Sequence, residues 1–203
     1  MSEIIGLVGA HRVGKSYLRD HLTTALGAKY FDFSISKEQR YLGYHSGNQS
    51  YKPHERRHIQ SHLLKQMTRH LRHAADPIIS LGRVDEHKHH LVIADRTPID
   101  LIGYALINLV NDPWKDSKQW QAEYIQECIS VTNIYFKKLV LIQPGIPFIP
   151  DNKSGPVEMV DDLNSIYASM FLRPELGVDR RIMPETMTDI TERMKYVLEF
   201  INA

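Results

Sequence analysis

The chain has 203 residues and a formal net charge of +1, from 25 Lys and Arg against 24 Asp and Glu. This length suits one domain with a sizeable core, and the near-zero charge argues against DNA or RNA as a partner. No apolar run approaches the roughly 20 residues of a membrane span, and no signal-peptide pattern precedes the first motif. With Cys128 as the single cysteine, expected to be a small buried side chain, we expect a soluble protein of the cytoplasm.

A strand, a loop and a helix are predicted at the start of the chain. The apolar run of residues 4–8 predicts a buried strand, and Gly9–Ser16 after it matches the eight-position phosphate-loop motif. The glycines let N–H groups face phosphate oxygens, Lys15 supplies a charge for the β and γ phosphates, and Ser16 offers a hydroxyl to Mg²⁺. A glycine turn without a ligand is the structural alternative. The segment predicted to bind the nucleoside triphosphate consists of His11, Arg12, Val13, Gly14, Lys15, Ser16 and Tyr17.

A short second strand is predicted over Lys29–Phe33, after a helix that Gly27 ends. Its packing residues are expected to be Tyr30, Phe31 and Phe33. Asp32 and the turn at 34–36 then lie near the carboxyl end of this strand, the edge where open α/β sheets bind ligands. A short helix is expected from Ser36 to Arg40, and the Gly-, Ser- and Asn-rich stretch 43–53 is typical of a loop.

Helical periodicity runs from Pro53 to about Ala75. The apolar face comprises Ile59, Leu63, Leu64, Met67 and Leu71. Arg56 and Gln60 fall within the same arc, so they either extend past the end of the core or line a polar, anion-holding pocket. We favour the pocket, because the helix is expected to run toward the phosphate edge of the sheet. His54, His58 and His62 lie on the opposite side and indicate a solvated face rather than a metal site, as do His87, His89 and His90 later in the chain.

The third predicted strand, Leu91–Ala94, is followed by the sequence Asp-Arg-Thr-Pro-Ile-Asp at 95–100. Thr97, Pro98 and Asp100 are typical of a helix start, with the helix running to about Val110. Asp95 at the strand tip can hold Mg²⁺ through water or accept a proton from an attacking hydroxyl, unless it is only a helix-start acid. Arg96 can bridge the phosphates of two substrates.

The remaining chain completes an α/β pattern. We expect a helix over 120–136, a fourth strand over 138–143, a Pro- and Gly-rich segment over 144–156, a helix over 160–172 and a fifth strand over 180–183. A last helix begins near Asp189 and carries an apolar stripe, to which we assign no function. The prediction is therefore one domain over 1–203, a five-stranded parallel sheet flanked by helices, with a lid at about 144–173.

Several of these segments together resemble a known family. They are Gly9–Ser16, Ser34–Ser36 with Arg40 and Gly43, Glu55–Arg56 with Ile59–Gln60 and Leu63–Leu64, and Asp95–Asp100 with Tyr104. In this order they resemble the phage-type P-loop deoxynucleoside monophosphate kinases, which are relatives of thymidylate kinases and of the nicotinamide riboside kinase domain. The phosphate loop is shared by many NTPases. The Asp-Arg-Thr-Pro segment at 95–98 and the helix with Arg56 and Gln60 are therefore what distinguish this family from other NTPases.

The resemblance implies a P-loop NTPase fold and transfer of the ATP γ-phosphoryl group to the 5′-phosphate of a deoxynucleotide. Lys15, Asp95 and Arg96 would be catalytic, with Ser16 and Asp95 holding Mg²⁺. The acceptor site would comprise Asp32, then Ser36, Arg40, Arg56 and Gln60 from a region at about 34–75, and Arg96. Arg56, Arg96 and Arg40 would hold the acceptor phosphate, and Gln60 would bind its base. The family usually has arginines in the lid, whereas the segment Phe148–Met159 offers only Lys153. Arg173, Arg180 and Arg181 could substitute from outside that segment. Related kinases often form homodimers through helices such as 99–110 and 121–136.

Other functions stay open at this point. A hydroxyl acceptor, such as a nucleoside, nicotinamide riboside or a modified base in DNA, would make Asp95 the natural general base. A regulatory or mechanical P-loop ATPase belongs to a different class, and the sequence shows no clear arginine finger for it. A non-catalytic nucleotide sensor would result if Asp95 did not face the metal.

Overall fold

The computed structural model describes residues 2–44, 51–76, 91–109, 116–147 and 157–203. Five parallel strands form one sheet in the order β2–β3–β1–β4–β5. They are β1 (Glu3–Val8), β2 (Lys29–Tyr30), β3 (Leu91–Ala94), β4 (Phe136–Ile142) and β5 (Asp179–Met183). The predicted α/β class and its five-stranded parallel sheet are confirmed.

Seven helices are present in the described parts of the chain. They are α1 (Lys15–Leu26), α2 (Ile35–Tyr41), α3 (Pro53–Ala75), α4 (Pro98–Leu109), α5 (Ser117–Tyr135), α6 (Val157–Phe171) and α7 (Ile190–Ile201). The first and third have the predicted bounds, because Gly27 ends α1 in a left-handed conformation and Pro53 begins α3. The others begin or end within a few residues of the prediction.

The central strand β1 positions the phosphate loop. Ile4, Ile5, Leu7 and Val8 are completely buried, since β1 lies between β3 and β4 and helices cover both faces of a parallel sheet. The loop from Gly9 to Gly14 follows at the carboxyl edge and leads into α1. The expected inward face of α3 is also buried, and Cys128 is completely buried in α5 as predicted.

The prediction for Tyr30 was wrong. Its side chain is 58% exposed, whereas Phe31 and Phe33 are buried as expected. The regular part of β2 ends at Tyr30, at the edge of the sheet, so one side of this residue has no neighbouring strand. The Arg19 guanidinium covers the tyrosine ring instead, 5.2 Å from its centroid.

Half of the segment predicted as a lid is a packed helix. Leu163 and Tyr167 on α6 are completely buried, so this part of 144–173 belongs to the core. Residues 148–156 of the expected lid, with Lys153, lie outside the described residues. The same holds for most of the predicted loop 43–53 and for His87, His89 and His90.

Helix α4 is nearly surrounded within the single chain. Ile99, Leu101 and Ile102 are completely buried, and α4 contacts α3, α5 and α6. Its accessible positions include the partly buried Leu106 and Ile107 and the exposed Asn108, and α5 keeps exposed positions such as Ile134. In the parts of the chain that the structure covers, no helix is long and apolar enough to cross a membrane.

Candidate nucleotide-binding site

The phosphate loop adopts a shape that depends on glycine. Gly14 has a φ of 86°, and a Cβ atom on Gly9 would lie 2.6 Å from the carbonyl oxygen of Ile142. The first is a left-handed conformation that strains other residues, and the second is a contact no side chain tolerates. Arg12 also has a positive φ, 63°, which costs of order 1–3 kcal/mol in a non-glycine residue. Strain of this kind is typical of a functional loop.

Lys15 lies folded against the loop. Its side chain is only 5% exposed, and its Nζ donates hydrogen bonds to the carbonyl oxygens of Gly9 and Ala10, the second at 2.6 Å. A carboxylate oxygen of Asp100 is 3.9 Å away. Burial lowers the pKa of Lys15 to about 8, although the negative charge of Asp100 opposes this effect. The ammonium group thus lies inside the loop, with the two carbonyl oxygens as its hydrogen-bond partners.

Asp95 lies at the tip of β3 and is bound by two donors. Ser16 Oγ donates a hydrogen bond to its Oδ2 at 2.5 Å, and Arg19 Nη1 donates to the same atom at 3.1 Å. Asp95 is 5% exposed. Sequence reasoning placed Ser16 and Asp95 together correctly but missed Arg19. The signal was present, because residues three apart on a helix share a face, and Arg19 follows Ser16 by one turn of α1.

Asp100 joins the helix cap to the phosphate loop. Its Oδ2 accepts hydrogen bonds from the Thr97 N–H and hydroxyl, both at 2.8 Å, which confirms the predicted capping box. Its Oδ1 accepts from the Gly9 N–H at 3.2 Å and faces Lys15. The side chain is 2% exposed. A residue predicted only as a cap therefore also anchors the loop and its lysine.

Arg96 lies beside this cluster and is partly exposed. Its Nη1 donates to the carbonyl oxygen of Asp95 at 2.9 Å. Its positive charge helps to lower the pKa of Lys15 and opposes the upward effect of burial on the pKa of Asp100 and of Tyr104. Burial raises the pKa of Tyr104 to about 12, so this hydroxyl stays protonated and can donate a hydrogen bond.

Gln60 contacts α5 and Arg56 contacts α4, but Arg56 is not close to Arg96. Gln60 is 6% exposed, and the Tyr124 hydroxyl lies 3.2 Å from its Oε1. Arg56 donates from Nη1 to Asn108 and from Nε to the Tyr51 carbonyl at 3.0 Å. Asn108 lies near the far end of α4, which has 12 residues and a length of about 18 Å. In this structure the two arginines therefore lie near opposite ends of α4 rather than around one phosphate.

The other acceptor residues predicted from the sequence lie on an exposed surface. Asp32 and Arg40 are exposed, and Ser36 Oγ lies 3.3 Å from the Ser34 hydroxyl at the start of α2. His62 is more buried than a solvated face predicts, since it contacts Glu38 at 3.3 Å. Within the described residues, no cluster of three or more His, Cys, Asp or Glu could hold a metal ion.

The loop and the start of α6 enclose a small cavity. It has a volume of about 110 Å³ and is lined by His11, Arg12, Val13, Pro144, Ile146, Val160 and Asp161. Tyr17, by contrast, is 59% exposed and packs against His21. The predicted lid residue Arg173 pairs with Glu175, just after α6, where Asn133 at the end of α5 also binds. This is the amino edge of the sheet, so the structure does not bring Arg173 to the phosphate loop.

Comparison with known proteins supports the fold. No protein-family model and none of the curated proteins matches the chain. Among solved structures, it is similar to deoxyadenosine kinase from M. mycoides (TM-score 0.65, 13% identity, 98% of each chain). It is also similar to thymidylate kinase from Candida albicans (0.65, 14%, 99% of this chain and 91% of that one). A third is a NadR protein in complex with NR (0.64, 14%, 100% of this chain and 50% of that one). The chain thus has the fold of P-loop kinases.

Proposed function

We propose that this protein is an ATP-dependent kinase that phosphorylates the 5′-phosphate of a deoxynucleoside monophosphate. The observation that carries the choice of acceptor is the state of Asp95. Its Oδ2 already accepts hydrogen bonds from Ser16 and Arg19, and the side chain is almost fully buried. A carboxylate held in this way suits a metal ion better than it suits an incoming hydroxyl. A phosphate acceptor needs no general base, since it is ionised at neutral pH.

The transfer itself needs positioning and neutralisation of charge rather than acid–base chemistry. An oxygen of the acceptor phosphate forms a bond to the γ-phosphorus of ATP, and the bond from that phosphorus to the β,γ-bridging oxygen breaks, so that ADP leaves. Lys15 holds the β and γ phosphates, and Asp100 keeps the lysine in the loop. Arg96 would neutralise charge on the transferred group and on the acceptor phosphate.

The side chains of Ser16 and Asp95 fit Mg²⁺ as ligands. A serine hydroxyl and a single carboxylate are oxygen ligands, and Mg²⁺ in nucleotide sites takes its remaining ligands from phosphates and water. We propose that Ser16 and Asp95 hold the ion. When bound, Mg²⁺ neutralises phosphate charge. Arg19 provides a second positive charge beside the Asp95 carboxylate.

We propose that the acceptor contacts residues near both ends of α4. Arg96 would hold the phosphate end, Gln60 would bind the base, and Arg56 would contact the acceptor from the far end of α4. Asp32, Ser36 and Arg40 would complete the exposed side of the region. Since ATP and deoxynucleotides are cytoplasmic metabolites, we propose that the enzyme is cytoplasmic. If the gene belongs to a phage, the enzyme acts in the cytoplasm of the infected host.

A kinase of a hydroxyl acceptor is the second candidate. Asp32 is an exposed carboxylate two residues after the end of β2, the strand that neighbours β3, and could serve as the general base. The similar structures include a deoxyadenosine kinase and a NadR protein in complex with NR. Both candidates use the same phosphate loop and differ in the acceptor and its base.

A panel of acceptors separates the two candidates. With ATP and Mg²⁺, we expect ADP formation with at least one deoxynucleoside monophosphate to exceed the acceptor-free rate by about 10³-fold. Nucleosides and nicotinamide riboside should stay near that background. The Asp32→Asn variant should keep kcat within about threefold, because general-base catalysis contributes about 10²–10⁴-fold only where a base is needed. Activity with nucleosides alone, lost in Asp32→Asn, would establish the second candidate instead, and acceptor-independent ADP release would indicate an ATPase.

Arg56 is tested through the Michaelis constant of the acceptor. We expect Arg56→Ala to raise KM for the monophosphate about tenfold with little change in kcat, because a charged hydrogen bond made equally in ground and transition states contributes about 1.5–3 kcal/mol. Arg173→Ala is the matched control, since it removes the same side chain at the opposite edge of the sheet. An unchanged acceptor KM in Arg56→Ala would remove this residue from the site.

A further inference from the structure

Arg193 connects the last helix to the phosphate loop. The sequence predicts α7 as a purely structural element, yet this arginine on it is 2% exposed. Its Nη1 donates a hydrogen bond to the carbonyl oxygen of Val13 at 2.8 Å, across 180 residues of sequence. Its Nε donates to the carbonyl oxygen of Met187 at 2.6 Å. The side chain therefore joins the phosphate loop to the segment between β5 and α7.

The positive charge of Arg193 has no carboxylate partner within the described residues. Its Nη2 is buried without a hydrogen-bond partner there, and burial lowers its pKa with no acidic group to oppose the effect. A buried charge without a counter-ion is costly, and proteins seldom keep one unless something compensates it. An anion bound in front of the loop would provide that compensation.

The bond to Val13 also determines which way one amide group points. The Val13 carbonyl and the Gly14 N–H belong to the same peptide unit, and in a trans peptide these groups point in opposite directions. Because Arg193 holds the carbonyl on the α7 side, the Gly14 N–H is directed away from α7. The contact is tight, since a Cβ atom on Gly14 would lie 3.1 Å from Arg193 Nη1.

We infer that Arg193 is a positioning residue of the nucleotide site. It holds the Val13–Gly14 peptide with its N–H toward the phosphates, and its buried charge is balanced by them when a nucleoside triphosphate binds. This role rests on the proposed function, because it requires the loop to bind a triphosphate. Arg193 itself does not touch the nucleotide.

Calorimetric titration with the non-hydrolysable analogue AMP-PNP tests this role. We expect Arg193→Gln to weaken binding at least tenfold, because it removes the positive charge and the guanidinium that donates to both Val13 and Met187. Arg193→Lys should stay within threefold of the unaltered protein, since it keeps the charge and one donor. Lys195→Gln is the matched control: it removes the same charge from an exposed position of α7 and should bind like the unaltered protein.

Two results would overturn the inference while leaving the proposed function intact. One is Arg193→Gln binding AMP-PNP within twofold of the unaltered protein. The other is equal weakening in Arg193→Lys and Arg193→Gln, which would indicate packing alone. No binding of AMP-PNP by the unaltered protein would instead contradict the proposed function.

A measurement on the unaltered protein decides the matter if Arg193→Gln does not fold. In a crystal structure with AMP-PNP, we expect the Gly14 N–H about 3 Å from a phosphate oxygen, with Arg193 still donating to Val13. A Gly14 N–H turned away from the phosphates, or an Arg193 separated from Val13, would contradict the role.

Discussion

Lys15→Met is expected to abolish measurable turnover with every acceptor, a loss of at least about 10³-fold in kcat. The ammonium group lies buried inside the phosphate loop, folded against the carbonyl oxygens of Gly9 and Ala10. A preorganised charge in a site with little water stabilises a transition state far more than a solvated one does. Methionine has a similar length and no charge, so the variant removes the electrostatic contribution while filling the space. Coupled detection of ADP across the acceptor panel measures the loss.

The control for this variant is Lys65→Met, which removes the same charge from an exposed position of α3. We expect it to keep full activity. Circular dichroism should show the same fold for both variants. More than a tenth of the original turnover in Lys15→Met would show that the phosphate loop does not bind the reacting phosphates in the proposed way.

Much of the fold was predictable because its elements carry strong local signals. Buried parallel strands appear as short apolar runs, as at Leu91–Ala94, and α3 combines a starting proline with a long apolar stripe. Tyr30 shows the limit of such signals. An aromatic residue in a strand pattern predicts burial, but only the position of β2 at the edge of the sheet determines that this side chain is exposed.

The candidate site was predictable only where its residues belong to a sequence motif or stand at the end of a predicted strand. The motif located Lys15 and Ser16, and the strand tip located Asp95. Arg193 could not be found in this way, because its partner Val13 is 180 residues away and its position falls within a helix that an apolar stripe already explains. Contacts of this kind depend on tertiary packing, which leaves no periodic signal in the sequence.

Asp100 shows how one side chain can serve the fold and the site together, and its replacement has the second of the two largest expected effects. Asp100→Ala removes the acceptor of the hydrogen bonds from Thr97 and from the Gly9 N–H. It also removes the negative charge that faces Lys15. We expect a loss of about 3 kcal/mol in the free energy of unfolding, since buried partners are left unpaired. We also expect KM for ATP to rise at least tenfold, because the loop loses its anchor.

Two further variants separate the cap from the anchor. Asp100→Asn keeps an acceptor for Thr97 but no charge for Lys15, so it should recover much of the stability while KM for ATP stays about tenfold high. Glu55→Ala removes the equivalent capping acid of α3, which accepts the Lys52 N–H at 2.7 Å and does not touch the loop. It should cost about 1 kcal/mol or less and leave KM for ATP unchanged. If Asp100→Asn bound ATP normally, neither the charge facing Lys15 nor the hydrogen bond from the Gly9 N–H would have a part in nucleotide binding.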